Sequence, residues 1–298
     1  MPVPNNLPNN VRQRVASLAV CAPLAAAAAC ERVVSVTAPA AEPQLVVEAR
    51  LERVQGRPAD GCQRVRLTTT DAYFSDRAPP PVRGAAVRVR DDAGQAVTLA
   101  EVTGEPGVYA TDALPIALGR AYTLEVEWEG DRYAAQGAAV PVAPIDTAYL
   151  TPRTGQSGPR DGARAAIDFR DPPEVRNYYL WDQVVNGVRV VAPDSTARER
   201  AVNGDDLFDG RQLTGVQPYE GVAVPAGAEV VMRQVGLSEA AYRYYVALSE
   251  QADGGGSPFG VPSASVRGNV ANTTRPARRA LGYFLVADVA EARLRAVP

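Results

Sequence analysis

The strongest constraint on this chain is a two-residue rhythm. In AYTLEVEWEG, Tyr122, Leu124, Val126 and Trp128 alternate with Thr123, Glu125, Glu127 and Glu129. Successive side chains of an extended strand point to opposite faces, so the pattern predicts a strand with one buried and one wet face. QLVVEARLE has the same form, with Leu45, Val47, Ala49 and Leu51 set against Glu48, Arg50 and Glu52. RVRL and VRVR are shorter versions, and DDAG (Asp91 to Gly94) and EGD (Glu129 to Asp131) supply the turns between them. The 25 Pro and 25 Gly favour many turns over long helices, so the predicted class is all-β. Roughly seven short strands over about 100 residues suggest an immunoglobulin-like sandwich, without the Cys…Trp…Cys spacing of antibody domains.

PVAPID (Pro141 to Asp146) reads as a boundary. It separates an immunoglobulin-like β domain at 44–142 from a larger second β domain at 145–298, a sandwich or barrel-like body. In the second, YYLWDQVVNGVRVV sets Asn186-Gly187 between two apolar runs. A type I′ hairpin turn needs positive φ at both central residues, which Asn-Gly tolerates. One amphipathic helix is predicted near 238–251, in LSEAAYRYYVALSEQAD. Ser238 caps it, Glu239 suits its positive first turn, and Leu237 and Tyr242 hold the staple positions. Ala241, Tyr245 and Leu248 share a face that would cross the second sheet. LGYFLVADV is the last strand.

Two absences limit the chemistry. There is no His and no Lys, so all 31 basic residues are Arg. A guanidinium stays protonated and is no ordinary base, Schiff-base amine or metal ligand. Ser-His-Asp and Cys-His catalysis, His-containing zinc sites and phosphate-loop lysines are thereby excluded. Carboxylate pairs, a Tyr or Ser with an unusual partner, and oxygen-ligated metals remain. No cofactor is expected, and a net charge of −3 gives no excess of positive charge for nucleic acid.

At the amino terminus, Arg12 and Arg14 precede the uncharged run Val15 to Ala29. As a helix that run reaches only about 22 Å against about 30 Å of hydrocarbon, and Pro23 interrupts it. The pattern is that of a secretory leader at 1–29. Ala27, Ala28 and Ala29 before Cys30 have the form of a bacterial lipobox, which makes Cys30 the lipidation residue. Cys21 in LAVC is a rival, but Val20 is large for the residue before the cut. Residues 30–43, rich in Ala and Pro, read as a tether. Cys62 is then the lone remaining cysteine, read as a small buried hydrophobe.

Candidate sites come from clusters. NGDDLFDG gathers Asn203 with Asp205, Asp206 and Asp209, oxygen ligands of the kind calcium takes, although the spacing is not that of a calcium loop. The competing reading is solvated turn acids. Those acids, or Asp168 with Asp171, are the available carboxylate pairs for glycoside hydrolysis. Tyr178, Trp181, Tyr242 and Tyr245 are the ligand-stacking candidates, with core packing as the alternative. Asn272 in NTT fits a glycosylation acceptor pattern that is expected to be incidental.

Taken in order, CERVVSVTAPAAEPQLVVEARL, VRLTTTDAYF, APPPVRGAAVRVRDDAG, PGVYATD, GRAYTLEVEWEGDRYAA, PVAPID, the YYLW…NG hairpin, AAYRYYVALSEQ…PFG and LGYF resemble the lipoprotein family labelled domain of unknown function 4249. The resemblance implies a Gram-negative outer-membrane lipoprotein, periplasmic or surface-facing. It also implies an immunoglobulin-like first domain, a larger β second domain and a gene beside a TonB-dependent transporter. It implies no activity and no catalytic residues. The expected function is therefore a non-enzymatic, lipid-anchored envelope protein, an accessory or cargo-binding partner of such a transporter. The alternatives are a carboxylate-dependent hydrolase and a purely structural surface or adhesion module.

Overall fold

The computed structural model describes residues 42–57, 63–71, 75, 77–152, 163–191, 200–254 and 266–297. The expected leader, Cys30, residues 30–41 of the tether and Cys62 lie outside the described residues. The first half of the chain forms β1 (Leu45–Val54), β2 (Gln63–Thr69), β3 (Ala86–Asp91), β4 (Ala96–Glu101), β5 (Val108–Thr111), β6 (Ala121–Trp128) and β7 (Asp131–Ala138). The second half forms β8 (Thr147–Thr151), β9 (Arg164–Arg170), β10 (Tyr178–Val185), β11 (Val188–Arg189), β12 (Ala201–Gly204), β13 (Gln212–Val216) and β14 (Glu229–Gly236). It continues with the helix α1 (Glu239–Gly254), β15 (Ala271–Asn272) and β16 (Leu281–Arg295). The chain is thus all-β with a single helix among the described residues. Among these residues no helix is long and apolar enough to cross a membrane.

One hydrogen-bonded path runs β11-β10-β14-β16-β1-β2-β5-β4-β3-β6-β7-β15, with β12 beside β10. Strand β4 changes partner within its length, because Ala96 to Leu99 pair with β3 while Ala100 and Glu101 pair with β5. The path folds over there, and the two layers enclose one core. Val47, Leu51, Val65 and Leu67 meet Val87, Val89, Leu124 and Val126 in it. Each such side chain contributes about 1.5 to 3 kcal/mol by leaving water, which makes the alternation in β1 and β6 decisive for the sandwich. Turn chemistry agrees with the pattern. Asp91 Oδ1 accepts the Ala93 and Gln95 N–H groups at 3.0 and 2.8 Å, and Glu129-Gly130 and Asn186-Gly187 all have positive φ.

Strand β16 joins the two halves. It runs parallel to β1 from Val46↔Leu281 to Val54↔Val289, then antiparallel to β14 from Val235↔Val289 to Glu229↔Arg295. The two stretches read from the sequence, 44–142 and 145–298, therefore share this strand, and residues 42–298 form one compact unit. Phe284 and Val286 enter the first core, Ala290 a second, and Leu285, Ala287 and Val289 a third. Asp288, almost wholly buried between the first two, accepts from Arg53 at 2.5 Å, Gln55 Nε2 at 2.8 Å and the Val142 N–H at 3.2 Å. Gly282 has φ of +90°, and a Cβ on it would stand 2.1 Å from the Val47 carbonyl oxygen. Only glycine lets β16 lie against β1 at that point.

In the second half, a small sheet β13-β9-β8 covers one face of the β10-β14-β16 sheet through Phe169, Tyr179, Trp181 and Met232. The helix α1 covers part of the opposite face through Leu237, Ala241, Tyr242 and Tyr245. Its start is as expected, since Ser238 Oγ accepts the Ala241 N–H at 3.2 Å.

Candidate functional site

Strand alternation sends Glu48, Arg50 and Glu52 to the face of β1 away from the sandwich core. Antiparallel register sets Arg66 opposite Glu48 and Arg64 opposite Arg50 on β2. Register also aligns Asp182 of β10 with Arg233 of β14, and Arg233 with Glu291 of β16. A continuous charged surface therefore crosses the central sheet. Tyr244, Tyr245 and Leu248 of α1 overhang it from one side, and Arg189, Val191, Arg200 and Tyr219 border it from the other. They enclose a cleft of about 450 Å³.

The floor of the cleft belongs to an ion network that extends past it to Arg233 and Glu291. Arg50 reaches Glu52 at 2.6 Å and Asp182 at 2.8 Å, Arg233 reaches Glu52 at 2.5 Å and Glu291 at 3.4 Å, and Arg189 stands 3.6 Å from Asp182. The Asp182 side chain is only 8% exposed. Burial by itself pushes the Asp182 and Glu52 carboxyls up, but the guanidiniums around them win, and both end below the usual carboxylate range. Burial likewise lowers Arg50 and Arg233, while their acidic neighbours leave both above the ordinary arginine value. Glu52, Asp182, Arg50 and Arg233 are thus held charged. Attraction at a partly screened 4 Å is about 4 kcal/mol, and desolvation costs several kcal/mol per ion. The two nearly cancel, so the network fixes geometry more than it adds stability.

The walls are aromatic. Tyr244 lies 4.7 Å from Tyr283 and 5.3 Å from Tyr245 between ring centroids. Burial pushes Tyr244 up to about 12 and raises Tyr245, Tyr283 and Tyr219, so all four phenols are neutral at physiological pH. Tyr219 donates to the Trp181 carbonyl at 2.7 Å. Glu48 is exposed at the mouth, yet the surrounding walls remove enough water to raise its carboxyl pKa against the pull of Arg66 and Arg200.

Of the aromatic candidates, Tyr245 alone lines the cleft. Tyr178 stacks on Tyr242 with centroids 4.7 Å apart, at the helix-to-sheet contact. Trp181 is on the other face of the sheet, buried beside Phe169, with Nε1 donating to Gln234 Oε1 at 2.8 Å.

The acidic candidates form a separate group. Carboxylate oxygens of Asp171, Asp205 and Asp209 lie within 4.8 Å of one another, while Asp206 points outward to Arg176. These three are the residues that could hold a cation, but their oxygens already serve the turns. Asp205 accepts from the Asn177 N–H at 2.7 Å and from Arg176 at 3.1 Å, Asp171 from Tyr179 and the Gly210 N–H, and Asp209 from the Glu174 N–H at 2.9 Å. The result is a clamp between the 171–177 and 205–210 loops. Burial first, then repulsion from Asp205 and Asp209, raises Asp171, against the bonds from Tyr179 and Gly210. Asp168 is occupied elsewhere, by Tyr149 at 3.1 Å and the Gly215 N–H at 2.7 Å. Asn272 is buried at the end of β15, where its Nδ2 donates to the Arg278 carbonyl at 3.0 Å, so it is no open glycosylation acceptor.

Sequence reading missed Arg50, Glu52, Asp182 and Arg200 as site residues. Three charges at alternate positions of β1 read as a solvated face, and no local signal tells that a distant helix overhangs it. No curated protein matches the chain. The model of one family, however, matches residues 31–293, which span both the sandwich and the cleft, and the chain accordingly belongs to the family described as domain of unknown function (DUF4249).

Proposed function

We propose that this chain is a non-enzymatic binding protein of the cell envelope. Lipid on Cys30 holds it on a Gram-negative outer membrane, where it serves as an accessory or cargo-binding partner of a TonB-dependent transporter. One observation carries the binding half: the cleft of about 450 Å³ roofed by α1 over β1 and β2. Its size falls in the range of small-ligand sites, and its floor and overhang stand on strands and a helix, with Glu105, Val191, Arg200 and Tyr219 contributed by the loops at its rim. The carboxylates of the partly buried Glu52 and the buried Asp182 are held ionised by two or more guanidiniums each. A general acid needs the opposite, a carboxyl whose pKa is raised. The membrane half draws on the Arg-flanked leader and the small residues before Cys30.

A second reading, carboxylate-dependent hydrolysis, is favoured by the raised Glu48 in the same cleft as the lowered Asp182. Divergent carboxyl pKa values are what acid and base roles require. Against it, Arg50 and Arg189 flank the Asp182 carboxylate that would have to act as base.

Growth with labelled palmitate tests the anchor. The parent is expected to carry label and Cys30→Ala to lack it, and equal labelling would overturn the anchor. Purification of the tagged parent from detergent-solubilised outer membranes tests the partner. Enrichment of a TonB-dependent transporter over that recovered with an unrelated lipoprotein is expected, and equal recovery would overturn the partnership.

A further inference from the structure

The cleft contains matched and unmatched groups. Arg50, Arg64 and Arg189 are paired with Glu52, Glu105 and Asp182. Arg66, Arg200, Glu48 and the hydroxyls of Tyr244 and Tyr245 have no hydrogen bond or ion pair among the described residues. All five side chains line the same cleft, and both of these arginines are half-buried. Their charges reach one another across it, since Glu48 feels Arg66 and Arg200, and Tyr244 feels Arg200 and Glu48. Two guanidinium forks and two phenols give a surplus of donors, and Glu48 is the single open carboxylate among them.

That inventory is complementary to a particular chemistry. A guanidinium fork prefers a carboxylate, to which it donates two parallel N–H bonds. The open carboxylate of Glu48 calls for a hydroxyl donor next to that acid group. The Tyr244, Tyr245 and Tyr283 rings offer flat apolar faces beside both. We infer that the cleft binds an acidic saccharide, with its carboxylate on Arg66 and Arg200, a ring hydroxyl on Glu48 and an apolar sugar face on the tyrosines. A neutral sugar would strip water from half-buried guanidiniums without replacing the charge interaction, which sets the preference for the acid. The inference rests on the reading of this chain as a binding protein and names the class of its cargo.

Digalacturonate and its dimethyl ester, titrated calorimetrically into the parent, test it, because the pair differ in charge while keeping the rings. The acid is expected to bind one to one and the ester at least about 10-fold more weakly. Arg200→Gln and Arg66→Gln should each weaken the acid by about 10-fold, and Tyr244→Phe by about 3-fold. Arg88→Gln, on the exposed outer face of β3, should change nothing. Equal binding of acid and ester, unchanged affinity in Arg200→Gln, or no heat with either digalacturonate or glucuronate overturns the inference. Should Arg200→Gln fail to fold by thermal melting, the comparison of acid with ester on the parent still decides. Ester binding alone would leave a binding protein with neutral cargo. The palmitate and co-purification tests contain no sugar, so the membrane reading fails or stands separately.

Discussion

Strands β1 and β6 carry the same alternation of apolar and charged residues, and their charged faces meet different fates. On β6, Glu125 pairs with Arg90 at 2.9 Å and Glu127 with Arg132 at 3.1 Å, with every one of these side chains 38% exposed or more. On β1, Arg50 and Glu52 are about half as exposed as that, at 19% and 18%, and share Asp182 and Arg233 beneath the overhang of α1. Opposite charges 4 Å apart gain about 1 kcal/mol in water and about 4 kcal/mol in the partly screened setting of a protein surface. The same residue types therefore make a solvated surface on one strand and a fixed electrostatic floor on the other. The contrast lies in the layer above each strand and not in the strands themselves.

Removing one partner from each face gives the largest test of this contrast. Asp182→Ala leaves Arg50, Arg189 and Arg233 short of a counter-charge, and a loss of about 3 to 5 kcal/mol is expected in urea unfolding. A loss below about 1 kcal/mol would place the β1 floor in the same class as the β6 surface. Next in size is an acid effect. Glu52 and Asp182 have folded-state pKa values depressed below their unfolded ones. Their contribution is fully present above about pH 4 and is lost as pH falls through the depressed values. Urea midpoints at about pH 7, 5 and 3 should therefore drop most steeply at the acid end, and less steeply in Glu52→Gln. Asp171, raised by burial, has the opposite sign, with stability that declines as pH rises through its elevated value.

Smaller effects refine the role of the overhang. Ser238→Ala removes the cap of α1 and should cost about 1 kcal/mol. Quenching of tyrosine fluorescence by acrylamide should rise in that variant if the helix end loosens over Tyr244 and Tyr245. Glu125→Ala, on the solvated face, is expected to change stability by no more than about 0.5 kcal/mol in the same urea assay. A larger loss would mean that β6 carries hidden support.

Much of the fold was legible because it depends on neighbours one to four residues apart. The alternation in β1 and β6 named their buried sides, Asn186-Gly187 turned as its chemistry requires, and Ser238 capped α1. The aromatic candidates divided for a reason that the local pattern does not contain. Tyr245 and Tyr242 are three residues apart on one helix and pack on the same face of the sheet, but Tyr245 lines the cleft while Tyr242 is taken up by stacking on Tyr178. Trp181 and Asp182 are adjacent on β10, and strand geometry necessarily sent one to the core and the other to the cleft. Reading which of the two faces is functional required knowledge of what covers each.

The sequence by itself therefore determined strands β1, β2, β3, β6 and β10, the helix α1, the buried faces of β1 and β6, the tight turns and the exclusion of histidine and lysine chemistry, since composition and short-range periodicity decide all of these. The tertiary structure alone decided that the polar face of β1 becomes a cleft. Strand β16 must first bring β14 alongside β1, and α1 follows β14 directly in the chain, so the helix arrives over Glu48, Arg50 and Glu52 only once that long-range pairing exists. Charged residues at alternate positions are compatible with water or with a matched set of opposite charges. Which of the two they meet is settled by packing between segments far apart in the chain, where local sequence exerts no control.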